Sequence, residues 1–269
     1  MQLSIIITNY KNPELLKVCI DSIKKNITLS DYEIIVADSA TEENTELMMR
    51  EKYPDIRYIP SKENIGFGLT VENGYKASQG KNILILNGDI IVKKDSIEKL
   101  LQYINKNEKI GIVAPMLLSF NDSMQYSCCR FYTPLTIVYR RTPLGKTPWG
   151  KKHVEQFLMK DYDHKETREV DWVQGSAILT TRAAIERVGL MDRRFQMYFE
   201  DVDWCRRFWE AGLKVVYYPQ AKMYHYHGRG SAGKNLIKTL LFNRLTWLHI
   251  ISAFKYFAKY RRRPLPKHN

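Results

Sequence analysis

The sequence predicts an α/β fold in which a mostly parallel sheet is flanked by helices. Short apolar runs rich in β-branched residues alternate along the chain with segments whose apolar residues recur at helical spacing, an order typical of a parallel sheet. The runs are apolar throughout rather than alternating, as in strands buried on both faces. A composition of 44% hydrophobic and 26% charged residues agrees with a globular protein.

The elements follow one another in a regular order. The predicted strands are residues 4–8, 32–38, 56–59, 82–89, 110–114, 170–179 and 215–218. The predicted helices are residues 13–23, 42–52, 70–78, 96–105, 182–188, 199–211 and 234–259. Pro13 fits the first turn of its helix and Gly80 the end of another, since Pro tolerates an N-terminal helical position and Gly a C-cap. Residues 121–169 show weak periodicity and are predicted to form a long irregular excursion over one face.

The net charge of +13 indicates an anionic partner, which can be a nucleic acid, a phosphorylated small molecule or an anionic membrane. A surface that is merely rich in lysine is the plain alternative. The densest basic stretch is residues 255–263, and only there do basic and aromatic residues alternate as a nucleic-acid platform requires. Acids around Asp201 would repel a phosphate backbone, so we expect no nucleic-acid partner.

Other signals bear on location. The four cysteines form no CxxC pair, so neither a zinc site nor a disulfide framework is implied. No basic segment precedes the first strand, so no signal peptide is expected. No apolar run approaches the roughly 20 residues that a membrane-spanning helix needs. We therefore expect a cytoplasmic protein whose membrane contact, if any, is peripheral at the inner face of the cytoplasmic membrane.

Asp89 is the first candidate for chemistry. It follows an apolar strand and Asn87-Gly88, at the carboxyl end of the strand, where ligands bind in open α/β sheets. Hard cations such as Mg²⁺ and Mn²⁺ prefer carboxylate oxygens and share them with substrate phosphates. A simple Asn-Gly-Asp turn is the alternative.

The run Glu200-Asp201-Val202-Asp203 is the second candidate. Acids at a helix start complement the helix dipole and pair with Arg206 or Arg207 at helical spacing, which is one explanation. Bulky aromatic residues surround the run, however, and desolvated carboxylates close together raise one another's pKa. That chemistry suits a general base acting on a sugar hydroxyl.

A third segment, His225-Tyr226-His227 with glycines after it, offers imidazole ligands to a metal. Residues 64–68 match neither GxGxxG nor a P-loop, so a dehydrogenase or a kinase is not indicated. A nucleotidyltransferase remains an alternative, although residues 8–13 lack its Gly-rich, basic triphosphate loop.

The motifs, taken in order, resemble a known family. The segments that carry the resemblance are residues 4–10, Asp38, 64–68, 73–74, 86–89, 172–176 and 198–203. Over residues 3 to 231 they resemble glycosyltransferase family 2, and most closely its bacterial rhamnosyltransferase-like branch, as do residues 129–134 and 139–142.

The resemblance implies a GT-A fold, which is a Rossmann-like sheet flanked by helices, and inverting transfer from a nucleotide-diphosphate sugar. Residues 1–115 would be the nucleotide-sugar-binding half, 116–231 the acceptor-binding and catalytic half, and 232–269 a basic amphipathic helical extension. The implied donor-binding residues are Thr8, Tyr10, Asp38, Asn64, Gly66, Asn73, Asn87 and Asp89.

The same resemblance implies the metal and the catalytic groups. Asp89 matches the last acid of the family's DXD motif, and Asn87 replaces the first, so His225 becomes an expected further ligand of Mg²⁺ or Mn²⁺ with His227 as the runner-up. The implied catalytic residues are the base Asp201 and its supports Glu200 and Asp203, and the implied acceptor-binding residues are Trp172, Gln174 and Gly175.

The substrates follow at the level of the branch. A dTDP-rhamnose donor is expected, with a UDP-sugar as the alternative, and the acceptor is a glycan or a sugar linked to a lipid pyrophosphate, in bacterial surface polysaccharide synthesis. The C-terminal helix combines aromatic and basic residues, as helices that lie on anionic membranes do. Packing on the catalytic domain or in a homodimer is the alternative.

Overall fold

The computed structural model describes residues 1–226 and 244–266. The strands in this part of the chain are β1 (Leu3–Tyr10), β2 (Tyr32–Ser39), β3 (Arg57–Ser61), β4 (Asn82–Asn87), β5 (Ile90–Val92), β6 (Ile110–Leu118), β7 (Cys128–Cys129), β8 (Arg168–Glu169), β9 (Trp172–Val173), β10 (Ala177–Thr181) and β11 (Lys214–His225). The helices are α1 (Pro13–Asn26), α2 (Glu43–Lys52), α3 (Phe67–Ala77), α4 (Ser96–Ile104), α5 (Pro134–Arg141), α6 (Pro148–Phe157), α7 (Arg182–Val188), α8 (Glu200–Glu210) and α9 (Arg244–Lys259), with a 3₁₀ helix at Pro143–Lys146.

Nine of the described strands form one mixed sheet in the order β3-β2-β1-β4-β10-β6-β11-β5, with β8 paired to β11. The first four strands of this order are parallel, β10 is antiparallel to both of its neighbours, and β11 is parallel to β6. The predicted α/β fold is therefore confirmed, and strands from both predicted halves share the sheet. The reversed direction of β10 could not be predicted, because a strand buried on both faces has the same apolar pattern in either direction.

The two faces of the sheet bury separate apolar cores. Ile6 faces one core together with residues of α8 and α9, whereas Ile5 and Ile7 face the other core together with residues of α1 and α4. Side chains of a strand alternate between faces, so a strand covered on both sides needs apolar residues at every position. This is the physical reason for the unbroken apolar runs in the sequence.

The prediction of an irregular excursion over residues 121–169 was wrong. This segment contains β7, α5, the 3₁₀ helix, α6 and β8. Thr133 and Thr147 cap α5 and α6, and each is followed by proline at the first helical position. These two Thr-Pro pairs were available in the sequence, but helices this short show little periodicity.

Two predicted elements in the second half differ in extent. The strand expected at 170–179 is broken by residues 174–176, so that β9 pairs with β7 in a small second sheet while β10 joins the main sheet. The strand expected at 215–218 continues to His225 past an irregularity between Tyr218 and Lys222.

The C-terminal helix was predicted over 234–259, and its described part begins at Arg244; residues 234–243 lie outside the described residues. Among the residues that the structure describes, no helix combines the length and the apolar character needed to cross a bilayer.

Candidate active site

The carboxyl ends of β1, β2 and β3 hold Asp38 in place. Strand register sets Asp38 opposite Asn9, and the carboxylate accepts hydrogen bonds from Asn9 Nδ2 at 2.8 Å and from the Tyr58 hydroxyl at 2.8 Å. The side chain is 1% exposed. Both oxygens are therefore fixed by neutral donors at the sheet edge, and Asn9 is a residue of this edge that the sequence did not indicate.

The end of β4 is joined to β1 in the same way. The Thr8 hydroxyl lies 3.2 Å from Asn87 Oδ1, and the Gly88 amide donates to the Thr8 carbonyl at 2.8 Å. A Cβ atom at Gly88 would lie 3.2 Å from Asn9 Oδ1 and 3.3 Å from the Thr8 carbonyl oxygen. This close passage explains a small residue at the turn, after which the chain enters β5 directly behind Asp89.

Asp89 and His225 meet at this turn, because β5 pairs with the end of β11 and sets His225 opposite Ile90. Asp89 Oδ1 lies 3.6 Å from His225 Nε2. The same oxygen is buried and has no hydrogen-bond partner among the described residues. Burial raises the pKa of Asp89 to about 6.

Gln125 orients the His225 ring. Its Oε1 lies 2.9 Å from His225 Nδ1, and its Nε2 donates to the His225 backbone carbonyl at 2.9 Å. An amide oxygen accepts, so Nδ1 donates in this contact, and in the neutral ring Nε2, the nitrogen beside Asp89, is then the acceptor. Metal-binding histidines are commonly oriented by such a second hydrogen bond. No local pattern indicated Gln125, because the contact joins residues 100 positions apart.

The residues at this corner fit a divalent cation in part. An unsatisfied carboxylate oxygen and an oriented imidazole are both suitable ligands. The part of the chain described here contains no group of three or more His, Cys, Asp or Glu residues placed to hold a metal. The remaining ligands would have to come from a substrate or from His227, which lies outside the described residues.

The loop before α3 completes the first half of the site. Gly66 has φ of +79°, and a Cβ atom there would lie 2.5 Å from the Gln196 carbonyl oxygen, so only glycine fits. Asn64 Oδ1 accepts the Gly66 amide hydrogen bond at 3.0 Å and closes the turn. Asn73 is half-buried on α3, and Tyr10 is exposed at the end of β1.

Asp201, in the first turn of α8, accepts hydrogen bonds from backbone amides. Gly175 N donates to its Oδ2 at 3.0 Å and Val202 N to its Oδ1 at 2.8 Å. A Cβ atom at Gly175 would lie 3.1 Å from the Phe67 ring and 3.5 Å from Asp201 Cβ. The carboxylate is half-buried and forms no ion pair with any described residue.

Glu200 lies beside Asp201 in a different environment. Its side chain is buried, and its Oε2 has no hydrogen-bond partner in the described chain. Burial and the neighbouring Asp201 raise the pKa of Glu200 well above its usual value, and burial also raises the pKa of Asp201 against the two amide donors. The two amide donors favour the charged form of Asp201, whereas burial and the neighbouring Asp201 favour the protonated form of Glu200.

A strained turn leads into this acid pair. Tyr198 and Phe199 have φ of 67° and 68°, a left-handed conformation that costs non-glycine residues on the order of 1–3 kcal/mol each. The Phe199 ring packs 4.7 Å from the Tyr132 ring and 5.3 Å from the His249 ring. These ring contacts hold the turn and so fix where α8 begins.

Asp203 is on the opposite side of α8, since residues two positions apart point about 200° away from each other on a helix. It is fully buried and accepts hydrogen bonds from Arg207 Nε at 2.9 Å, from the Tyr260 hydroxyl at 2.9 Å and from Lys259 Nζ. The Arg207 contact is the helical pairing considered for the sequence. Asp203 therefore joins α8 to α9.

The three predicted acceptor residues are close together in the chain but differ in exposure. Trp172 is 8% exposed, donates from Nε1 to the Arg130 carbonyl at 2.8 Å and stacks on Tyr132 at 5.7 Å. Gln174 is half-buried, and its backbone amide donates to the Ser127 carbonyl. Gly175 contacts Asp201 directly, through the hydrogen bond of its backbone amide.

Residues 174–176 also connect the two acidic sites. The Gly175 amide binds Asp201, and the carbonyl of the next residue, Ser176, accepts a hydrogen bond from the Asn87 amide at 2.9 Å. The Asn87-Gly88-Asp89 turn and the start of α8 are thus bonded to the backbone of two adjacent residues, Ser176 and Gly175. This short segment brings the predicted donor and acceptor sides into one site.

Comparison with known proteins identifies the family. Residues 4–186 match Glycosyl transferase family 2. The chain belongs to this family. The match decides against the nucleotidyltransferase and the nucleic-acid-binding alternatives, and it establishes that the protein is a glycosyltransferase.

Two curated relatives of this family 2 glycosyltransferase are rhamnosyltransferases. Rhamnosyltransferase WbbL of Escherichia coli is 28% identical over 96% of this chain and 93% of its own length. N-acetylglucosaminyl-diphospho-decaprenol L-rhamnosyltransferase of Mycobacterium tuberculosis is 27% identical over 75% of this chain and 68% of its own length. The predicted resemblance to the rhamnosyltransferase-like branch is confirmed, and a role in polysaccharide synthesis agrees with it.

The fold is shared with solved glycosyltransferases. The structure of GalNAc-T7 with UDP, GalNAc and Mn²⁺ superposes with a TM-score of 0.64 at 19% identity and covers 84% of this chain. This chain corresponds to 43% of that structure. The likeness confirms the predicted GT-A fold of the family 2 glycosyltransferase.

Proposed function

We propose that this glycosyltransferase is an inverting, metal-dependent enzyme that transfers rhamnose from dTDP-rhamnose to a sugar on a lipid-diphosphate or glycan acceptor in bacterial surface polysaccharide synthesis. A UDP-sugar is the alternative donor. The observation that carries the proposal is the bonding of Asp201 and Asn87 to the backbone of two adjacent residues, Gly175 and Ser176. In this proposal, the carboxylate of Asp89, which suits a metal ion, and the carboxylate of Asp201, which suits a general base, act in one active site.

The donor side has a division of labour in this proposal. The nucleoside and the sugar of the donor are contacted by residues of the first half of the site, which are Asp38, Thr8, Tyr10, Asn64, Gly66, Asn73 and Asn87. Asp89 and His225 hold Mg²⁺ or Mn²⁺, for which the orphaned Asp89 oxygen and the Gln125 contact are the supporting observations. A bound divalent cation neutralises the charge that grows on a departing nucleoside diphosphate.

The acceptor side performs the proton transfer. Asp201 takes the proton of the acceptor hydroxyl as that oxygen forms a bond to the anomeric carbon from the face opposite the leaving group. The bond to the nucleoside diphosphate breaks with its electron pair, and the configuration at the anomeric carbon inverts. Protonated Glu200 keeps the pair at a single negative charge, Asp203 positions α8, and Gly175 with Gln174 borders the acceptor.

The C-terminal helix supports a peripheral membrane contact at the cytoplasmic face. Trp247, Ile251 and Phe254 are spaced along one side of α9, and all three are exposed, Phe254 by 74%. Arg261–Arg263 follow directly and are also exposed. Exposed aromatic and aliphatic residues beside a basic segment suit an anionic lipid surface. Flotation with anionic vesicles tests this contact, and a concentration-dependent homodimer that buries Phe254 without vesicle binding would contradict it.

Donor binding and turnover test the central proposal. dTDP-rhamnose and a panel of UDP-sugars would be incubated with the protein and Mg²⁺ or Mn²⁺, and nucleoside diphosphate release would be followed with and without acceptor extracts. We expect one donor to raise the thermal unfolding midpoint only when the cation is present. If no nucleotide sugar shifts the midpoint under any of these conditions, the proposal fails.

A further inference from the structure

A cationic cluster lies beside the acid pair and takes no part in the mechanism described above. It consists of Arg140 and Arg141 at the end of α5 and of His249 on α9. Neither arginine forms an ion pair with any residue in the described ranges 1–226 and 244–266, and Arg141 makes no side-chain hydrogen bond there. Arg141 is nevertheless half-buried. One half-buried and one exposed guanidinium group are thus neighbours, and no carboxylate of the described residues pairs with either of them.

His249 is the third member of the cluster. Its side chain is 6% exposed, and its Nδ1 is buried with no hydrogen-bond partner among the described residues. Burial, together with the positive charges of Arg141 and Arg140, lowers the pKa of His249 to about 3, so the ring is neutral. A buried polar atom without a partner is unfavourable, and a bound ligand can supply the missing hydrogen bond.

The cluster is on the acceptor side of the site. The His249 ring contacts the Tyr198 ring at 5.1 Å and the Phe199 ring at 5.3 Å, and these two residues lead directly into Glu200 and Asp201. Arg140 covers the Tyr132 ring and donates to its hydroxyl. Asp89 and His225, in contrast, lie at the turn after β4, which is bonded to residues 174–176 through the Asn87 amide and the Ser176 carbonyl. The cationic cluster is therefore placed for an anionic group of the acceptor rather than for the donor.

We propose that Arg140, Arg141 and His249 bind the diphosphate of a lipid-linked acceptor. The inference rests on the proposed function, because it presupposes a sugar acceptor at Asp201. Guanidinium groups bind phosphate oxygens in a bidentate manner, and a diphosphate supplies the charge that this cluster lacks. Both helices also expose apolar side chains, Leu135 on α5 and Trp247 on α9, on which the lipid chain can lie.

Binding of farnesyl diphosphate tests the proposal. Calorimetric titration of the full chain would be carried out in EDTA, so that the Asp89 corner cannot hold a diphosphate through a cation. We expect Arg140→Gln/Arg141→Gln to weaken binding about 10- to 100-fold, the loss typical of charge-assisted hydrogen bonds. His249→Gln, which alters one contact, should weaken binding less. Arg50→Gln, an exposed arginine on α2, is the matched control and should bind like the wild type.

Further probes separate the sources of affinity. Inorganic pyrophosphate should compete with farnesyl diphosphate, and farnesol should not. Equal binding of farnesol, or unchanged binding by the double arginine variant at a wild-type thermal midpoint, overturns the inference. Binding to phosphatidylglycerol vesicles is the last probe. If the double arginine variant loses vesicle binding as strongly as it loses farnesyl diphosphate binding, the cluster binds membrane headgroups and the inference is overturned as well.

The proposed function is measured separately. Metal-dependent binding of the nucleotide sugar should be the same in the wild type and in the double arginine variant. If the wild type binds the nucleotide sugar but not farnesyl diphosphate, only the diphosphate inference fails. If it binds no nucleotide sugar, the proposed function fails whatever the result with farnesyl diphosphate.

Discussion

Two acids in the first turn of α8 have opposite surroundings. Asp201 receives hydrogen bonds only from backbone amides and is partly accessible, whereas Asp203 is fully buried between Arg207, Lys259 and Tyr260. A partly desolvated carboxylate without a cation beside it, such as Asp201, has a raised pKa and can accept a proton from a substrate. A carboxylate enclosed by cations, such as Asp203, stabilises the packing of the helices instead. In the proposed mechanism, the same sequence motif thus contributes to catalysis on one side of the helix and to stability on the other.

The largest effect should be a loss of transfer rate on substitution of Asp201 in α8. Asp201→Asn removes the proposed proton acceptor but keeps the size of the side chain, so we expect transfer to fall by roughly 10²- to 10⁴-fold, the usual contribution of a general base. Donor binding with the cation should stay at the wild-type level. Turnover near that of the wild type would show that another group takes the proton.

The buried side of the helix should respond in stability. Asp203→Asn removes one member of a buried ion-pair network, which costs about 3–5 kcal/mol, measured as the free energy of unfolding in urea. Asp55→Asn breaks the exposed pair with Lys24 and should cost less than about 1 kcal/mol. Equal losses in the two variants would contradict the role given to Asp203.

Substitutions at His225 and at Gln125, which orients it, should weaken the binding of the cation. His225→Gln removes an imidazole ligand, and Gln125→Ala releases the ring from its orientation, so we expect cation-dependent donor binding to weaken by about 10- to 100-fold in both. A titration of donor binding with Mn²⁺ measures the change. An unaltered Mn²⁺ midpoint in His225→Gln would remove this residue from the proposed ligand set.

A smaller, graded effect should appear with pH. Because burial raises the pKa of Asp89 to about 6, the carboxylate is charged above that pH and gains a proton below it. Protons then compete with the cation, and cation affinity should fall by about tenfold for each pH unit below 6. Donor binding measured from pH 5 to 8 at fixed, low Mn²⁺ checks the slope. A midpoint near pH 4 would mean that Asp89 is not desolvated.

The edge of the sheet at the carboxyl ends of β1, β2 and β4, where we place the donor, could be predicted well from the sequence. Strands such as β1 and β4 are unbroken apolar runs that end in polar residues, and parallel strands place these ends at one edge. Thr8, Asp38 and Asn87 therefore came together as predicted. The partners that orient the edge, Asn9 and Gln125, could not be found, because they depend on strand register and on long-range pairing.

The acceptor side was harder to predict for a different reason. The helical spacing of Glu200 to Asp203 predicts which acids lie on the same face of the helix, but it does not predict which of them forms ion pairs. That depends on Lys259 and Tyr260, which come from a helix more than 50 residues later in the chain. Arg140 and Arg141 lie in one of the segments that resemble the family, but the sequence did not assign them a role, and His249 was not indicated, since the significance of all three depends on the partners around them.

The contact between α8 and α9 has a consequence for any shortened version of the protein. The family match ends at residue 186, before Glu200 and Asp201, so a fragment cut at that boundary would keep the predicted nucleotide-sugar-binding half and lose the proposed proton acceptor. A fragment ending before Arg244 would retain both acids but expose the Phe199 ring and leave Asp203 without Lys259 and Tyr260. We expect such fragments to aggregate during expression, so the smallest workable unit extends to at least Pro264, whose carbonyl still bonds Arg206.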